Sequence, residues 1–451
     1  MTSQEMIALC KKHTLYTWAA QDAVDPLAIA SAKGVYLYTV DGQRILDFNS
    51  QLMSVLIGHG HPRVIAAMQK QMETLIYCYP QTATEPRAKL GKVLSELLPG
   101  DIDSFFFTTG GAEANENAIK IARQYTGRFK ILSRYRSYHG ATNATMQLTG
   151  DPRRWASEPG APGFVRVMDP VPLEFSFGAT EEEQTKNHLI YLEEMIQYEG
   201  PNQIAAFFIE PVTGTNGVLI PPKGWLAGVR ALTRKYGILL VCDEVMAGFG
   251  RTGKWFSFEH GGLVGDQAPD IVTMAKGLTS SYVPLGAMGV SAAIADYMRS
   301  HVFSGGLTYN SHPLAMACAV SVLEVMKDEK MVENAAAMES VMRREMDRLT
   351  ARHQSVKEAR AIGLFGMFDL RKNGTGGPPH GRPGEMIAPY NGAHPAMGKL
   401  GKFFRDEGLF TFMRWSSFSA IPPLSITEEQ LCEGFAIVDR GLDITDAVFE
   451  G

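Results

Sequence analysis

The amino-acid sequence predicts an α/β fold whose core is a mostly parallel sheet with helices packed on both faces. Three continuous apolar segments support this prediction: residues 104–108, 204–209 and 238–242. Such segments are typical of strands that are buried on both faces, and burial on both faces favours parallel pairing. Ligands of these sheets collect at the carboxyl ends of the strands, so the residues after each segment are the first candidates for a site.

The first part of the chain, residues 1–58, begins with a helix-like stretch and continues into a predicted β-hairpin. Residues 35–40 and 44–48 are rich in strand formers, and Asp41-Gly42 between them supplies the positive φ that a two-residue loop needs. We therefore expect a small antiparallel piece. From residue 59 to residue 326 the order apolar strand, glycine-rich loop, amphipathic helix repeats, which predicts one large α/β unit.

The last part of the chain, residues 327–451, returns to a mixed pattern. It is predicted to hold a long polar helix over residues 328–352 and a strand over residues 363–370. A loop rich in glycine and proline follows over residues 373–383. Thr427 precedes the last amphipathic segment and is the expected N-cap of the final helix.

Composition and charge favour a small-molecule partner. A hydrophobic fraction of 45% and a charged fraction of 20% are typical of a globular protein. A net charge of -5 without a long lysine and arginine run argues against nucleic acid or an anionic membrane. The five cysteines form no CxxC pair, and no apolar run approaches the ~18 residues of a membrane span. We therefore expect no metal or disulfide framework, and a cytoplasmic location.

Asp243 and Lys276 are the residues that point most directly to a chemistry. Asp243 ends a buried apolar run, and Lys276 lies in a tight turn of small residues. A carboxylate in that place can keep a pyridine nitrogen protonated, and a lysine can form a Schiff base with an aldehyde and later move a proton as a base. Each residue alone has an ordinary explanation, as a helix cap or a solvated lysine. The pair together suggests pyridoxal phosphate.

Two further segments follow predicted strands. Gly110, Gly111 and Ala112 lie where a strand runs into a helix, so their N–H groups can converge on a phosphate, although a tight turn without a ligand is the alternative. Tyr138 and His139 lie at the next junction, where an aromatic ring can stack on a planar ligand and gain roughly 1 kcal/mol. A core tyrosine explains this segment equally well when it is taken alone.

Two polar residues late in the chain complete the candidates. The Thr308 hydroxyl could hold a phosphate, although a single threonine in a loop is weak evidence. Arg414 could offer a bidentate fork to a carboxylate or sulfonate, and a structural arginine is the competing explanation.

Taken in order, these segments resemble the class III, or omega, aminotransferases of the fold type I pyridoxal phosphate enzymes. The resemblance covers nearly the whole chain. The matching motifs, after the Asp41-Gly42 hairpin, are Gly58-His59-Gly60-His61-Pro62, Gly110-Gly111-Ala112-Glu113-Ala114, Tyr138-His139-Gly140, Glu210-Pro211, Asp243-Glu244-Val245, Gly248-Phe249-Gly250-Arg251-Thr252-Gly253, Lys276-Gly277, Thr308 and Pro422-Pro423-Leu424.

The resemblance implies a pyridoxal phosphate cofactor, a small α+β domain built from both ends of the chain, and a homodimer with shared sites that could assemble further into a tetramer. The residues expected to contact the cofactor are Gly110, Gly111, Ala112, Tyr138, His139, Glu210, Asp243, Val245, Lys276 and Thr308. Many relatives carry serine in place of Gly110 or Ala112, so this chain lacks those hydroxyl contacts.

Within this set the resemblance gives each residue a role. Lys276 is similar to the Schiff-base lysine and Asp243 to the partner of the pyridine nitrogen. Val245 and Tyr138 resemble the residues that pack on the two faces of the ring. Thr308 resembles a threonine that reaches the phosphate bound in the neighbouring subunit.

The expected substrate contacts are Trp18, Leu52, Met53 and Arg414, the last resembling a mobile arginine that binds the substrate's carboxylate. Residues 13–18 and 47–53 look most similar to the taurine transaminases. The expected reaction is ping-pong transfer from an omega-amino donor such as taurine or β-alanine to pyruvate or 2-oxoglutarate. 4-Aminobutyrate, diamine and broad amine donors stay open, as does a same-fold aminomutase or decarboxylase. A nicotinamide dehydrogenase is not favoured, because the dinucleotide glycine pattern is missing.

Overall fold

The computed structural model describes residues 1–450. Its first elements are α1 (Ser3–His13), β1 (Ile29–Lys33), β2 (Tyr36–Thr39), β3 (Arg44–Asp47) and the short α2 (Ser50–Met53). β2 and β3 pair antiparallel with Leu37 opposite Ile45, and Gly42 in their turn has a φ of 87°. The predicted hairpin is therefore confirmed. β1, which pairs antiparallel with β2, was not predicted because its residues are mostly exposed and show no apolar alternation.

The middle of the chain forms the large sheet and its helices. Its elements are α3 (Pro62–Thr74), α4 (Glu85–Leu97), β4 (Ser104–Thr108), α5 (Gly111–Thr126), β5 (Lys130–Arg134), α6 (Asn143–Leu148), β6 (Phe164–Val167), α7 (Glu181–Glu199), β7 (Ile204–Ile209), α8 (Trp225–Tyr236), β8 (Leu239–Asp243), β9 (Ile271–Met274), β10 (Gly286–Val290), α9 (Ala292–Met298) and α10 (Pro313–Asp328).

The strand order of the large sheet is β4-β10-β9-β8-β7-β5-β6. Only β10 runs against its neighbours, and the other pairs in the sheet are parallel. Every residue of β7, β8 and β9 is buried, as expected for strands that helices cover on both faces. The predicted α/β fold with a mostly parallel central sheet is confirmed. β7 and β8 are neighbours that run in one direction, so Glu210 and Asp243 meet at one edge of the sheet.

The remaining elements are α11 (Met331–Arg352), β11 (Val356–Ile362), β12 (Phe365–Leu370), α12 (Pro395–Asp406), β13 (Leu409–Phe410), β14 (Met413–Arg414), β15 (Ser417–Ala420) and α13 (Glu428–Asp446). β13 pairs parallel with β3, which places Leu409 opposite Leu46. Strands from both ends of the chain therefore share one small sheet, which confirms a small α+β domain made from both termini. β11, β12, β15 and β14 form a separate antiparallel sheet in that order.

Three local predictions for this last part differ in outcome. The helix predicted over residues 328–352 begins later than predicted, at Met331. The preceding α10 ends at Asp328, and Lys330, with a φ of 52°, separates the two helices. The predicted strand over residues 363–370 starts at Phe365, because Gly363, with a φ of 58°, forms the turn after β11. The predicted cap is confirmed: the Thr427 hydroxyl accepts a hydrogen bond from the Gln430 N–H at 3.3 Å.

We propose residues 1–58, 59–326 and 327–451 as domain boundaries, with the second boundary falling inside the last turn of α10. Within residues 1–450 no helix is long and apolar enough to cross a bilayer.

Arg251 ties the large and small domains together. Its guanidinium, which is fully buried, donates to the carbonyl of Leu364 at 3.0 Å, to the carbonyl of Pro422 at 2.5 Å and to the hydroxyl of Ser50 at 2.9 Å. Burial lowers the pKa of this group to about 9, and the nearby Asp47 carboxylate opposes that shift. A buried charge held by three acceptors gives a fixed geometry, so the small domain is positioned against the edge of the large sheet.

Candidate active site

The loop between β4 and α5 has the features of an anion cradle. Gly110 precedes α5 with an extended backbone and no side-chain cap, so the first N–H groups of a long helix have no side-chain partner there. A Cβ on Gly111 would lie 2.8 Å from Cγ2 of Val245, so only glycine allows the loop to approach Val245 this closely. Gly110, Gly111 and Ala112 could therefore hold a phosphate next to a ring packed on Val245.

Glu113 fixes this loop through hydrogen bonds to Thr109. Its Oε2 accepts the backbone N–H of Thr109 at 2.8 Å and the Thr109 hydroxyl at 2.6 Å. The Thr109 donors are thereby occupied, and the donors that follow Gly110 stay directed at the cradle.

Asp243 is held by donors on both of its carboxylate oxygens. Oδ2 lies 2.7 Å from Nδ1 of His139 and 2.8 Å from Nδ2 of Asn115, and Oδ1 accepts the Val245 N–H at 3.0 Å. The side chain is 4% exposed. These three hydrogen bonds stabilise the charged carboxylate in a buried place, which is what a partner for a protonated pyridine nitrogen requires.

Thr273 and Asn115 set the direction of this network. The Thr273 hydroxyl donates to Oδ1 of Asn115 at 2.7 Å, which leaves the amide Nδ2 to donate to Asp243 and to the His139 carbonyl. On the other side of the ring, Nε2 of His139 is buried and has no hydrogen-bond partner in residues 1–450. His139 was predicted to contact the cofactor, and in the structure it contacts Asp243.

Lys276 lies directly after β9 in a strained backbone conformation, with a φ of 42°. Burial lowers the pKa of its amino group, while the negative charges of Asp243 and Glu210 oppose the shift and the positive charge of Arg153 adds to it. The neutral amine is therefore populated at a lower pH than in an ordinary lysine. A neutral amine is the form that attacks a carbonyl and the form that accepts a proton.

Glu210 supports the aromatic side of the site. Its Oε1 accepts the backbone N–H of Tyr138 at 2.9 Å, and its Oε2 accepts the Gly214 N–H at 2.8 Å. Burial raises the pKa of this carboxyl, with His139 lowering it and Asp243 raising it further. Glu210 thus fixes the loop that carries Tyr138, the residue predicted to stack on a ring.

Two of the predicted substrate residues lie near an open surface. Trp18 is 56% exposed and meets the Tyr138 ring edge-on, with 6.3 Å between the ring centroids. Leu52 is 58% exposed and borders a cavity of about 580 Å³ together with Arg414 and Trp415. Leu52 therefore shares a cavity with Arg414, and Trp18 contacts the residue predicted to stack on the ring.

Met53 and Thr308 are placed apart from the others. Met53 is 1% exposed and belongs to a core cluster with Phe365 and Ile421, so it does not reach the cavity surface. Thr308 is exposed in the loop before α10, and its carbonyl accepts the Tyr77 hydroxyl at 2.9 Å. No hydrogen bond joins Thr308 to another candidate residue within residues 1–450.

Arg414 lies in β14 at the border of the cavity shared with Leu52. Its Nη2 is 3.2 Å from Oδ2 of Asp151, and its guanidinium carbon is 4.3 Å from the ring centroid of Trp415. The side chain is 12% exposed, and Nε is buried without a partner in the part of the chain that the structure describes. An arginine that borders a cavity is suited to an anionic ligand.

Several residues of the site escaped the sequence analysis: Asn115, Asp151, Arg153 and Thr273. Asn115 could have been predicted from the sequence, because it follows the glycine-rich motif by one helical turn and is buried. The other three carry no motif of their own, and only the folded chain brings them to Asp243, Tyr138 and Arg414.

A pyridoxal phosphate group fits these residues. The glycine cradle offers uncapped helix N–H groups for the phosphate, Asp243 offers a buried carboxylate for the ring nitrogen, and Lys276 offers an amine of lowered pKa for the aldehyde.

Comparisons with known proteins agree with this geometry. The family model described as aminotransferase class-III matches residues 18–442. The putrescine–pyruvate aminotransferase of Pseudomonas aeruginosa is 33% identical over 76% of this chain and 77% of its own length. A solved structure of taurine:2-oxoglutarate aminotransferase from Bifidobacterium kashiwanohense, in complex with PLP and glutamate, is 39% identical and superposes with a TM-score of 0.92 over 99% of both chains. An (S)-enantioselective omega-transaminase from Thermomicrobium roseum is 36% identical, with a TM-score of 0.90 over 99% of both chains.

Proposed function

The chain belongs to the class III aminotransferases and is therefore a pyridoxal phosphate-dependent transferase, and we propose that it transfers the amino group of an omega-amino acid such as taurine or β-alanine to pyruvate or 2-oxoglutarate. The observation that carries this choice of substrate is Arg414, an arginine that is 12% exposed and borders the cavity. An omega-amino acid places an anionic group opposite its reacting amine, and Arg414 is suited to bind that group. The 39% identity to a taurine:2-oxoglutarate aminotransferase supports the same choice.

When bound, pyridoxal phosphate supplies an aldehyde that bonds to amines and a protonated ring that withdraws electrons from the substrate carbon. The chain's own residues hold and move the proton. Asp243, a carboxylate fixed by three donors, would pair with the ring nitrogen and favour its protonated form. Lys276, whose pKa burial lowers, would take the proton from the substrate carbon and hold it on Nζ. Tyr138, which Trp18 contacts edge-on, would pack on one face of the ring.

A donor panel without an acceptor tests the proposed function. Holoenzyme is mixed with taurine, β-alanine, 4-aminobutyrate, putrescine or a neutral monoamine, and the aminated cofactor is quantified by chromatography after acid release. We expect stoichiometric amination by taurine or β-alanine, and return of the starting form on addition of pyruvate or 2-oxoglutarate. Stoichiometric amination by putrescine or 4-aminobutyrate alone would favour the diamine or 4-aminobutyrate alternatives. Product formation from a single substrate, with no amination of the cofactor, would instead identify an aminomutase or decarboxylase.

Arg414→Ala is expected to lower kcat/KM for anionic substrates far more than for neutral amines. The lost contact is a charge-assisted hydrogen bond, so kcat/KM for taurine or β-alanine should fall by about 10- to 100-fold. The value for a neutral monoamine should change by less than about threefold, which is within the range of small packing effects. Arg440→Ala is the matched control, because Arg440 forms an exposed ion pair with Glu407 on the small domain. Equal losses for both kinds of substrate would remove Arg414 from the substrate site.

We also propose a homodimer whose active sites lie at the subunit interface. Assembly of two such dimers into a tetramer would keep this interface. Thr308 lies on an exposed loop beside Tyr77 and Tyr309, and both tyrosines are more than one-third exposed in the single chain. Exposed aromatic side chains that lie side by side are typical of an interface. Sedimentation equilibrium would separate dimer from tetramer. A cytoplasmic location is supported by the cysteines, because all five are free.

A further inference from the structure

A second cavity, of about 310 Å³, lies between the large and the small domain. Large-domain residues, among them Arg136 and Leu219, line it together with small-domain residues, among them Met367 and Met386. Small-molecule sites of proteins commonly have this size and are often found where two domains meet. The cavity is therefore large enough for a ligand of its own.

This interdomain cavity is separate from the candidate active site. Lys276, Asp243 and Tyr138 do not line it, and neither does Leu52. Of the residues predicted to contact the cofactor or the substrate, Arg414 is the one that borders both this cavity and the cavity shared with Leu52. A ligand in the interdomain cavity would therefore leave the ring site free.

Arg136 brings to this cavity a positive charge that contacts backbone carbonyls. Its Nη2 donates to the carbonyl of Asn216 at 2.8 Å, and its Nη1 donates to the carbonyl of Val171 at 3.4 Å. A guanidinium offers five N–H donors, so Arg136 can bind an anion while it keeps both of these contacts. A planar guanidinium of this kind suits the two oxygens of a carboxylate.

The carboxylates near Arg136 are paired with other cations. Asp169 accepts the backbone N–H of Arg136 at 2.7 Å, and its side chain pairs with Nε of Arg134 at 3.7 Å. Asp369 pairs with Nη1 of Arg360 at 2.6 Å. Within residues 1–450 the Arg136 guanidinium thus has carboxylates nearby but forms no ion pair of its own.

Arg360 adds to the positive charge at this end of the cavity. A Cβ on Gly217 would lie 3.0 Å from Nη2 of Arg360 and 3.1 Å from Nη2 of Arg136, so both guanidinium groups approach the same glycine. Burial lowers the pKa of Arg136, the Asp169 carboxylate opposes that shift, and Arg360 lowers the pKa further. A further anion beside Arg136 would reduce the repulsion between these two cations.

Apolar side chains form much of the remaining wall. Leu219 is 6% exposed and Met367 is 1% exposed, while Met386 is half-buried. Tyr390 and Trp415 also border the cavity, with 4.5 Å between their ring centroids. Each methylene of a ligand that leaves water against such a wall strengthens binding by about fourfold. The lining therefore offers an anion site at Arg136 and an apolar surface beside it.

The loop predicted to be rich in glycine and proline, residues 373–383, forms part of this wall. Nε2 of His380 donates to the carbonyl of Pro172 in the large domain at 2.8 Å. The buried Nζ of Lys357 donates to the carbonyl of Pro378 at 3.0 Å. The loop is thereby held to both domains, and a wall formed before the ligand arrives is typical of a binding pocket.

We propose that the interdomain cavity binds a small amphipathic carboxylate, with its anionic group on Arg136 and an apolar chain of about six to eight carbons against Leu219, Met367 and Met386. This inference goes beyond the proposed function and does not depend on it. Because the ring site stays free, such a ligand would act as an effector of the enzyme and not as its substrate.

Equilibrium dialysis of the holoenzyme with radiolabelled octanoate tests this site. We expect saturable binding of one molecule per subunit. Arg136→Gln should raise the Kd by about 10- to 100-fold, the size expected when a charge-assisted hydrogen bond is lost. Hexanoate is two methylenes shorter and should bind the wild type about 10-fold more weakly than octanoate. The neutral octan-1-ol should displace octanoate poorly, because it has no charge for Arg136.

Arg123→Gln is the matched control, because Arg123 is also half-buried and borders neither cavity. Its Nε donates to the carbonyl of Phe129 at 2.9 Å, and its guanidinium carbon lies 4.3 Å from the centroid of the Phe129 ring. The Kd of this variant for octanoate should stay within about twofold of the wild type. Met386→Trp fills the cavity without a change of charge and should also raise the Kd, so it decides the matter if thermal unfolding shows that Arg136→Gln does not fold.

The absorbance of the bound cofactor identifies which cavity octanoate occupies. An anion beside Lys276 would shift the pH dependence of that absorbance, whereas an anion on Arg136 should leave it unchanged. A shift with octanoate, together with an unchanged Kd in folded Arg136→Gln, would place the ligand in the substrate cavity and overturn the proposal. Non-saturable binding to the wild type, or equal losses in Arg136→Gln and Arg123→Gln, would also overturn it. These titrations need no turnover, so they decide the role of Arg136 even if the donor panel contradicts the proposed function.

Discussion

Lys276→Ala is expected to abolish amino transfer and covalent capture of the cofactor. In the proposed mechanism Lys276 is both the amine that bonds to the aldehyde and the base that moves the substrate's proton, so one substitution removes both steps. Loss of a residue that acts covalently typically costs about 10⁴- to 10⁶-fold in rate, and we expect a loss in that range. Burial lowers the pKa of the Lys276 amine, which favours the neutral form that both steps need.

Intact mass after borohydride reduction measures the capture directly. The wild-type chain should keep the mass of the reduced cofactor under denaturing conditions, whereas the Lys276→Ala chain should lose it. Lys254→Ala is the control, because Lys254 is exposed and donates only to a backbone carbonyl. Retention of the cofactor's mass by the Lys276→Ala chain would show that another residue forms the covalent bond.

The central sheet was predictable because its strands are apolar on both faces. The segments that become β4, β7 and β8 contain mostly Phe, Ile, Leu, Val and Ala, and a strand of this kind can exist only inside a covered sheet. Polar residues that directly follow such strands, such as Glu210 and Asp243, were therefore predictable as neighbours at one edge. β1 and the break at Lys330 were not predictable, because neither an exposed edge strand nor a positive φ changes the pattern of apolar residues.

The charged part of the site depends on contacts between distant segments. Arg153 lies in a short 3₁₀ helix that Asp151 caps, while Arg414 lies in a strand near the end of the chain. In the sequence alone, nothing around any one of these residues distinguishes a site position from a surface position. Only the fold brings them within hydrogen-bond distance, and only the fold buries their ion pairs. Asn115 and Thr273 could not be predicted for the same reason: their hydrogen bonds around Asp243 depend on how α5 packs on the sheet.

Asp243→Asn is expected to slow the first half-reaction by about 10²- to 10³-fold while the cofactor stays bound. Removal of one preorganised group that stabilises developing charge has a cost of this size. Asparagine has nearly the shape of aspartate, so Oδ1 can still accept the Val245 N–H. Its amide, however, carries no charge to keep the ring nitrogen protonated, and it would present a donor to His139 and Asn115 where both now donate.

Isotope effects and spectra distinguish this role from simple damage to the site. With a donor deuterated at the reacting carbon, the kinetic isotope effect should increase in Asp243→Asn, because proton abstraction becomes the slow step. The pH dependence of the bound cofactor's absorbance should also shift, since the ring nitrogen loses its counter-charge. Asp243→Glu restores the charge on a longer side chain and should recover part of the rate, and the exposed Asp266→Asn should match the wild type. A half-reaction rate equal to that of the wild type in Asp243→Asn would mean that ring protonation does not depend on this carboxylate, and that the hydrogen bonds from His139 and Asn115 serve packing alone.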